Sequence, residues 1–319
     1  MALPVQVRSQ IVRYLFWISY DGSCFPSMAK GGSCYGLMNF FTSLLQSTLL
    51  DSKDELKISA SSRTDAGVHA CRNSIIVQLP QHYGNLEDRK EGVLSLLNQV
   101  IRCCNPASMK ILDFHKVSPG FCVRRNVSYR HYVYRICEVG SDELWERTRI
   151  LPTPLQFCEL NYAWMVKPGF DIRRARDACS VFRGTQNMAS FFKHPERERR
   201  KIDEYPCTLR NLLYVDVTQG QPRCIEEPGY KFHDISVISR SFLREQVRRM
   251  VSVIVGHAYG NIPLESIQWL LRNPMPSNFF RLQIRPAPAH GLYLKNVVYD
   301  HRMFANPIPY HQHSWDYDL

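Results

Sequence analysis

The chain has 319 residues and carries 40 Lys and Arg against 29 Asp and Glu, a formal charge of +11 at pH 7, with 45% hydrophobic and 12% aromatic residues. At roughly 150 residues per domain this length suits two domains or one large one, and such apolar content excludes a disordered chain, because burial offsets the entropy of ordering. The longest apolar stretch, from Met250 to Gly256, falls far short of the ~20 residues that a membrane-spanning helix needs, which leaves a basic globular protein.

Periodicity sets short strands among amphipathic helices, with no tandem repeat. Tyr14 to Tyr20 reads as a strand closed by the turn residues Asp21 and Gly22, and Tyr35 to Leu50 as a helix with Leu37, Phe40, Phe41, Leu44 and Leu45 on its apolar side. Strands are expected at Leu56 to Ser61 and Asn73 to Leu79, a helix at Gly92 to Ile101, and strands at Lys110 to His115 and Tyr129 to Cys137. Strands that pair without a helix between every two make residues 10–140 an α+β half. The pattern weakens from Glu138 to Lys167, where Pro152 and Pro154 fall, and this is the expected join. The second half, 165–300, opens with a helix from Asp171 to Phe182 stopped by Gly184, then a charged stretch from His194 to Glu204 that reads as a solvated loop. Strands at Leu209 to Val217 and Phe232 to Ile238, a long helix from Ser241 to Val255 and a strand at Leu292 to Tyr299 complete it. Residues 301–319 read as a loosely ordered tail, whose His311 and His313 are open between a metal pair and solvated side chains.

Eleven cysteines, none in a Cys-x-x-Cys pair, form neither a disulfide framework nor a zinc pattern, and the simplest expectation is small buried hydrophobes in a reducing compartment. The positive charge suits a phosphate backbone, although many proteins are mildly basic. Arg8 and Arg13 precede the first acidic residue, Asp21, so the start is open between a very short matrix-directed presequence and an ordinary disordered start, and the compartment between cytoplasm and mitochondrion.

The run SSRTDAGVHA, Ser61 to Ala70, is the most informative segment. A strand ends in two serines and a turn presents Asp65, with Gly67 free to bend the backbone and Arg63 able to stabilise a partly buried carboxylate. That suits a nucleophile or a base, or an Asp that only makes an Asx-turn. An aspartic protease would need an Asp-Thr/Ser-Gly turn and a second carboxylate, and here Ala66 holds the middle position with no second copy of the turn. In the long helix, Leu243, Val247, Met250, Val251 and Ile254 form an apolar stripe, and Arg240, Arg244 and Arg248 an adjoining row with Arg249 able to pair with Glu245. This row is open between a solvated face and a cleft arginine that holds a phosphate or carboxylate. Alternation along a strand puts Arg130, Tyr132 and Tyr134 on one face, open between a sheet core and an aromatic surface on which an unpaired base stacks.

With these segments in place the chain resembles the tRNA pseudouridine synthase family typified by bacterial TruA, and particularly its short metazoan pseudouridine synthase-like branch. The resemblance runs from about Tyr14 to Tyr299 and rests on Arg63 to Ala70, on Tyr20-Asp21-Gly22 and on the Arg130-x-Tyr132-x-Tyr134 strand, together with Ser241 to Met250 and Ala287-Pro288-Ala289-x-Gly291-Leu292. It implies an α+β pseudouridine synthase fold, two similarly built halves whose antiparallel or mixed sheets join around a central RNA-binding cleft. It also implies isomerisation of uridine to pseudouridine in tRNA, in the anticodon-stem region, or in other structured RNA. Asp65 matches the catalytic aspartate, Tyr132 the tyrosine packed on the target base, Arg248 the arginine that pairs with the catalytic carboxylate, and Arg63 an RNA-contacting arginine. No metal and no other cofactor is implied, no membrane partner, and a homodimer is left open. A base must leave its stack before its glycosidic bond can be rebuilt, which gives the aromatic strand a purpose. The sequence departs from the family at Phe25-Pro26-Ser27, at Phe121-Cys122-Val123-Arg124 and at Gly184 to Met188, where drift in RNA contacts is expected before loss of chemistry. The alternative is a catalytically silent RNA-binding protein on the same scaffold.

Overall fold

A computed structural model describes residues 11–28, 35–105, 108–150, 158–193, 207–223 and 229–314. Arg8, Cys34, Pro152, Pro154, Cys224 and the charged stretch from His194 to Glu204 lie outside the described residues. The chain divides into two compact units, Met1–Tyr129 with Leu294–Leu319, and Arg130–Tyr293. The division falls inside a strand rather than in the expected join, and the closing residues return to the first unit.

The first unit runs β1 (Ile11–Tyr20), α1 (Leu37–Thr48), β2 (Lys57–Ala60), β3 (His69–Pro80), α2 (Lys90–Cys104) and β4 (Met109–Val117). The second runs β5 (Val127–Val139), α3 (Asp142–Ile150), β6 (Trp164–Val166), α4 (Ile172–Val181), β7 (Gly184–Asn187), β8 (Leu209–Gln219), β9 (Tyr230–Ser239), α5 (Gln246–Ala258) and α6 (Leu264–Arg272). β10 (Leu292–Tyr299) and the short α7 (Arg302–Ala305) lead back into the first. The class is α+β: β1 pairs antiparallel with β3 and β4, β2 with β3, β9 with β5 and β8, and β7 with β8, while β6 lies parallel to β5. Among the described residues no helix is long and apolar enough to cross a membrane.

In the first unit the strand order is β4-β1-β3-β10, with β2 on β3. β1 is buried along almost its whole length because both of its faces are covered, which explains an apolar run without strict alternation. On one face Phe16 packs edge-on to Phe41 of α1 and stacks on Phe114 of β4, centroids 5.0 Å apart. On the other, Trp17 meets Tyr299 and Phe304. Phe304 also packs on Phe121, its carbonyl accepts from the Ser118 amide at 2.6 Å, and the His311 amide donates to Gly120 at 3.0 Å. His313 is buried with Nε2 2.9 Å from the Phe121 carbonyl. The described part of the expected loose tail is therefore a cover for one side of the sheet, and a His313 ring nitrogen is engaged with main chain.

In the second unit the order is β5-β9-β8-β7, with Tyr132 opposite Val237 and Tyr134 opposite Ile235. Asp171 caps α4 by accepting from the amides of Arg173 and Arg174, and Phe182 forms its C-cap just before Gly184. Arg135 is buried against Glu159 at 2.9 Å, and although burial disfavours its charge, the Glu159 hydrogen bond and charge outweigh this and raise its pKa.

The largest departure from expectation is at α5, which starts at Gln246 rather than Ser241. Glu245 adopts a left-handed conformation, φ 59°, and the Gln246 side chain accepts from the Leu243 amide at 2.9 Å, so local hydrogen bonds compete with the helix before it begins. Arg240 and Arg244 precede the helix, and the expected row with Arg248 does not form; Arg249 does pair with Glu245, at 3.3 Å. The cysteines also depart: Cys122, Cys137 and Cys179 are buried, but Cys24, Cys71, Cys103, Cys104 and Cys207 are exposed. Nothing in the sequence pattern distinguishes the two groups.

If the C-terminal residues complete the core, Phe304→Ala should destabilise the protein by about 2 kcal/mol, a drop in Tm of roughly 5 °C. Thermal unfolding checks this, and an unchanged Tm would show that Phe304 only rests on the surface.

Candidate active site

The Asp65 turn is built from the strands that flank it. The Ser61 amide donates to the Ser74 carbonyl at 2.9 Å, continuing the β2–β3 pairing one residue beyond β2. Buried Asn73 then donates through Nδ2 to the Ser62 carbonyl at 2.9 Å. Tyr20 and Thr64 share a hydroxyl hydrogen bond of 2.7 Å, so the strands that end here hold the loop from below. Arg124, from the departing Phe121-Cys122-Val123-Arg124 segment, donates through Nε to the Ala60 carbonyl at 3.2 Å.

The turn closes with the Val68 amide donating to the Asp65 carbonyl at 3.1 Å. Gly67 takes the third position with φ of +77°, as a type II turn requires. Gly22 lies directly beneath: a Cβ there would sit 2.2 Å from the Val68 carbonyl oxygen and 2.8 Å from the Gly67 carbonyl carbon. Two backbones touch at this point, and only glycine permits it. Behind the contact, buried His69 has Nδ1 3.0 Å from Asp21 Oδ1 and 3.2 Å from the Gly22 amide, so Tyr20-Asp21-Gly22 acts as the bed of the turn. Asp65 is left half-buried, and Arg63 is exposed.

The departure at Phe25-Pro26-Ser27 is also part of this bed. Phe25 is buried and packs on Phe40 of α1, and buried Met28 offers its sulfur to the Thr64 amide at 3.4 Å. A partly open recess walled by Tyr20, Phe25, Met28, Thr64 and Asp65 lies beside the turn. The other departures are absorbed by packing: Cys122 and Met188 are buried.

In the second unit, Tyr132 is 8% exposed and meets Phe242 edge to face, centroids 5.0 Å apart. Arg130, on the same face of β5, donates to the Arg240 carbonyl through Nη1, which fixes the bend that carries Phe242. Tyr134 is fully buried and donates to the Pro288 carbonyl at 2.8 Å. Its burial pushes the hydroxyl pKa well above the ordinary value, with the charge of Arg248 acting in the opposite sense. Arg248, half-buried, donates through Nε to the Ala287 carbonyl at 2.7 Å, while the Ala287 amide donates back to the Arg248 carbonyl at 3.1 Å. The Ser241 to Met250 and Ala287 to Leu292 segments thus lock one another, and both bear on β5.

Each unit therefore gathers its own sequence-expected residues: Asp65 and Arg63 in the first, Tyr132 and Arg248 in the second. Sequence reasoning missed Phe242 as the neighbour of Tyr132, the His69–Asp21 pair and the Ala287 anchor of Arg248. All of these sit inside the motif segments, which was the available signal, but the contacts join residues far apart in the chain.

A family model described as tRNA pseudouridine synthase matches residues 178–300. Over 302 residues the chain is 30% identical to tRNA pseudouridine synthase-like 1 of Mus musculus, an alignment that covers 92% of this chain and 96% of the other. It is 27% identical over 303 residues to the protein of the same name from Xenopus laevis, covering 92% and 93%. With tRNA pseudouridine synthase A of Thermus thermophilus the identity is 28% over 289 residues, covering 90% and 96%. The class is that of RNA-modifying isomerases. The chain belongs to the tRNA pseudouridine synthase family.

Because the turn rests on Gly22, Gly22→Ala should displace the Asp65 loop and lower turnover at least tenfold, with a stability loss of about 1–3 kcal/mol. Steady-state pseudouridine formation read beside Tm checks this, and wild-type turnover in the variant would show that the contact does not position the loop.

Proposed function

We propose that this protein isomerises uridine to pseudouridine in tRNA, in the anticodon-stem region. In this mechanism the Asp65 carboxylate attacks the target nucleotide, the bond between uracil N1 and C1′ breaks, and the freed uracil rotates. A new bond then forms between C5 and C1′ as the bond from the Asp65 oxygen to the nucleotide breaks and the carboxylate is regenerated; the C5 proton passes to solvent as N1 takes one up, so the product is an isomer of the substrate. Tyr132 packs on the flipped base, replacing stacking lost when the base leaves its neighbours. Arg248 pairs with the carboxylate and favours its anionic, nucleophilic form, and Arg63 contacts the RNA near the turn.

The observation that supports this best is the Asp65 turn, with a half-buried carboxylate on a loop whose shape is dictated by a positive-φ glycine and a backbone contact beneath it. A structural Asx-turn needs no such bed, and a pure RNA binder has no use for a carboxylate among phosphates. The relatives from Mus musculus and Thermus thermophilus are named tRNA pseudouridine synthase-like 1 and tRNA pseudouridine synthase A, which supports the same reaction class. Arg248 held through Nε keeps a guanidinium in a single orientation, which suits it to a planar carboxylate partner.

Asp65→Asn is expected to abolish pseudouridine in an unmodified tRNA transcript, a loss above about 10³-fold, with RNA affinity within a few-fold of wild type. Mass spectrometry of the digested transcript reads the product and a filter-binding titration reads the affinity. Retained product in the Asn variant would sink the nucleophile, and a wild-type protein that binds tRNA without forming product would make the silent RNA binder the correct reading. Arg248→Ala should lower kcat by about 10²-fold or more with little change in RNA affinity; a loss confined to affinity would remove its assigned role.

A further inference from the structure

The segment from Ser266 to Tyr299 contains no Asp or Glu, yet it carries Arg272, Arg281, Arg285 and Lys295. It also presents large apolar side chains to solvent: Phe280 is 59% exposed, Met275 58% and Trp269 36%. Guanidinium groups lie against these rings. Arg281 Cζ is 5.7 Å from the Trp269 centroid, and Arg249 Cζ is 5.1 Å from that of Phe280 and 4.8 Å from that of Phe279. Phe280 and Arg281 are consecutive in the 3₁₀ turn Asn278–Leu282, so two aromatic–guanidinium pairs share one turn.

The turn is held in shape at a cost. Among the described residues, Glu245 with φ 59° and Gln283 with φ 53° are the non-glycine residues in the left-handed region. Glu245 pairs with Arg249, and the Gln283 amide closes the turn on the Phe280 carbonyl at 3.0 Å. Arg249 itself is 2% exposed, and its buried Nε and Nη1 have no hydrogen-bond partner. A buried cation spent on backing an exposed ring, between two strained residues, is a poor arrangement for stability alone. Strain of this kind persists where surroundings over-determine it, typically at ligand clamps.

We propose that Phe280, with Trp269 and Arg281 beside it, is a second RNA contact: a stacking platform for one unpaired base outside the reacting nucleotide. This rests on the RNA-directed reading above. The choice of RNA over a protein partner follows from charge. An acid-free stretch with several arginines complements phosphates, and a ring backed by a guanidinium presents a π-face to which any base can stack. Arg249 follows Arg248 in the first turn of α5, so the platform is anchored to the same helix start as the arginine assigned to the reaction.

The test uses the full chain with two fluorescein-labelled probes, a single-stranded oligouridylate and an RNA duplex of equal length, read by anisotropy. Phe280→Ala should weaken oligouridylate binding by roughly 5- to 100-fold and duplex binding by less than about twofold, and Phe280→Tyr should restore it. Arg281→Ala should weaken both probes and reduce the salt dependence by about one phosphate contact. Unchanged oligouridylate binding in Phe280→Ala overturns the platform, and so does an equal loss on both probes. A changed oligomeric state in that variant with unaltered RNA binding also overturns it, in favour of a contact between copies of the chain. Pseudouridine formation is scored separately. A protein that binds oligouridylate through Phe280 but never isomerises uridine leaves the platform standing and sinks the proposed function, whereas an active enzyme whose Phe280→Ala variant keeps its binding and KM sinks the platform alone.

Discussion

The contact between the Gly22 backbone and the Asp65–Val68 turn is the constraint on which the shape of the Asp65 loop in the first unit depends. Two main chains approach more closely than any side chain would permit. Everything around the contact serves to keep it. The turn needs Gly67 at a positive φ, the strand end before it needs Asn73 on the Ser62 carbonyl, and the bed needs the buried His69 against Asp21. A group gains from proximity only when it is held within a fraction of an ångström of one position, and main-chain contacts hold a loop better than a flexible side chain can. The motif residues around Asp65 are therefore mostly scaffold, which leaves the half-buried carboxylate and the exposed Arg63 on the outside of the turn.

The second unit solves the same problem with different means. Here the positioned groups are long side chains, Tyr132 and Arg248, and each is fixed by a neighbour that comes from a distant segment. Phe242 meets Tyr132 edge-on, and the Ala287 carbonyl takes the Nε hydrogen of Arg248. Tyr134, two residues from Tyr132 on the same face of β5, has no exposed surface and spends its hydroxyl on Pro288. One strand face thus holds a tyrosine with a little exposed surface beside one with none, and alternation alone could not say which was which.

The ease of reading each element followed from where its determining interactions lie. β10 and the body of β1 were visible because a run of apolar β-formers is a local signal. So was the N-cap of α4, since Asp171 satisfies amides two and three residues away. The start of α5 was not visible: the apolar stripe continues back to Leu243, but Glu245 enters the left-handed region, and its partners are Arg249 and Lys193 from another segment. The contacts of the closing segment were hidden for the same reason. Residues 301–314 are polar enough to read as a tail, and only the fold shows that Phe304 covers Trp17 and that His313 is held by the Phe121 carbonyl.

The amino-acid order alone sufficed for the class of the fold and the family, and it singled out the turn that carries Asp65, because those rest on short-range patterning and on a contiguous motif. Tertiary structure decided which arginines share the helix with Arg248, which tyrosine is spent on the core, what lies under the Asp65 turn and where the exposed rings near Phe280 find their cations. Those outcomes depend on contacts between residues tens to hundreds of positions apart, and the energies that choose among them are packing and hydrogen bonding across the fold, which no local window of sequence contains.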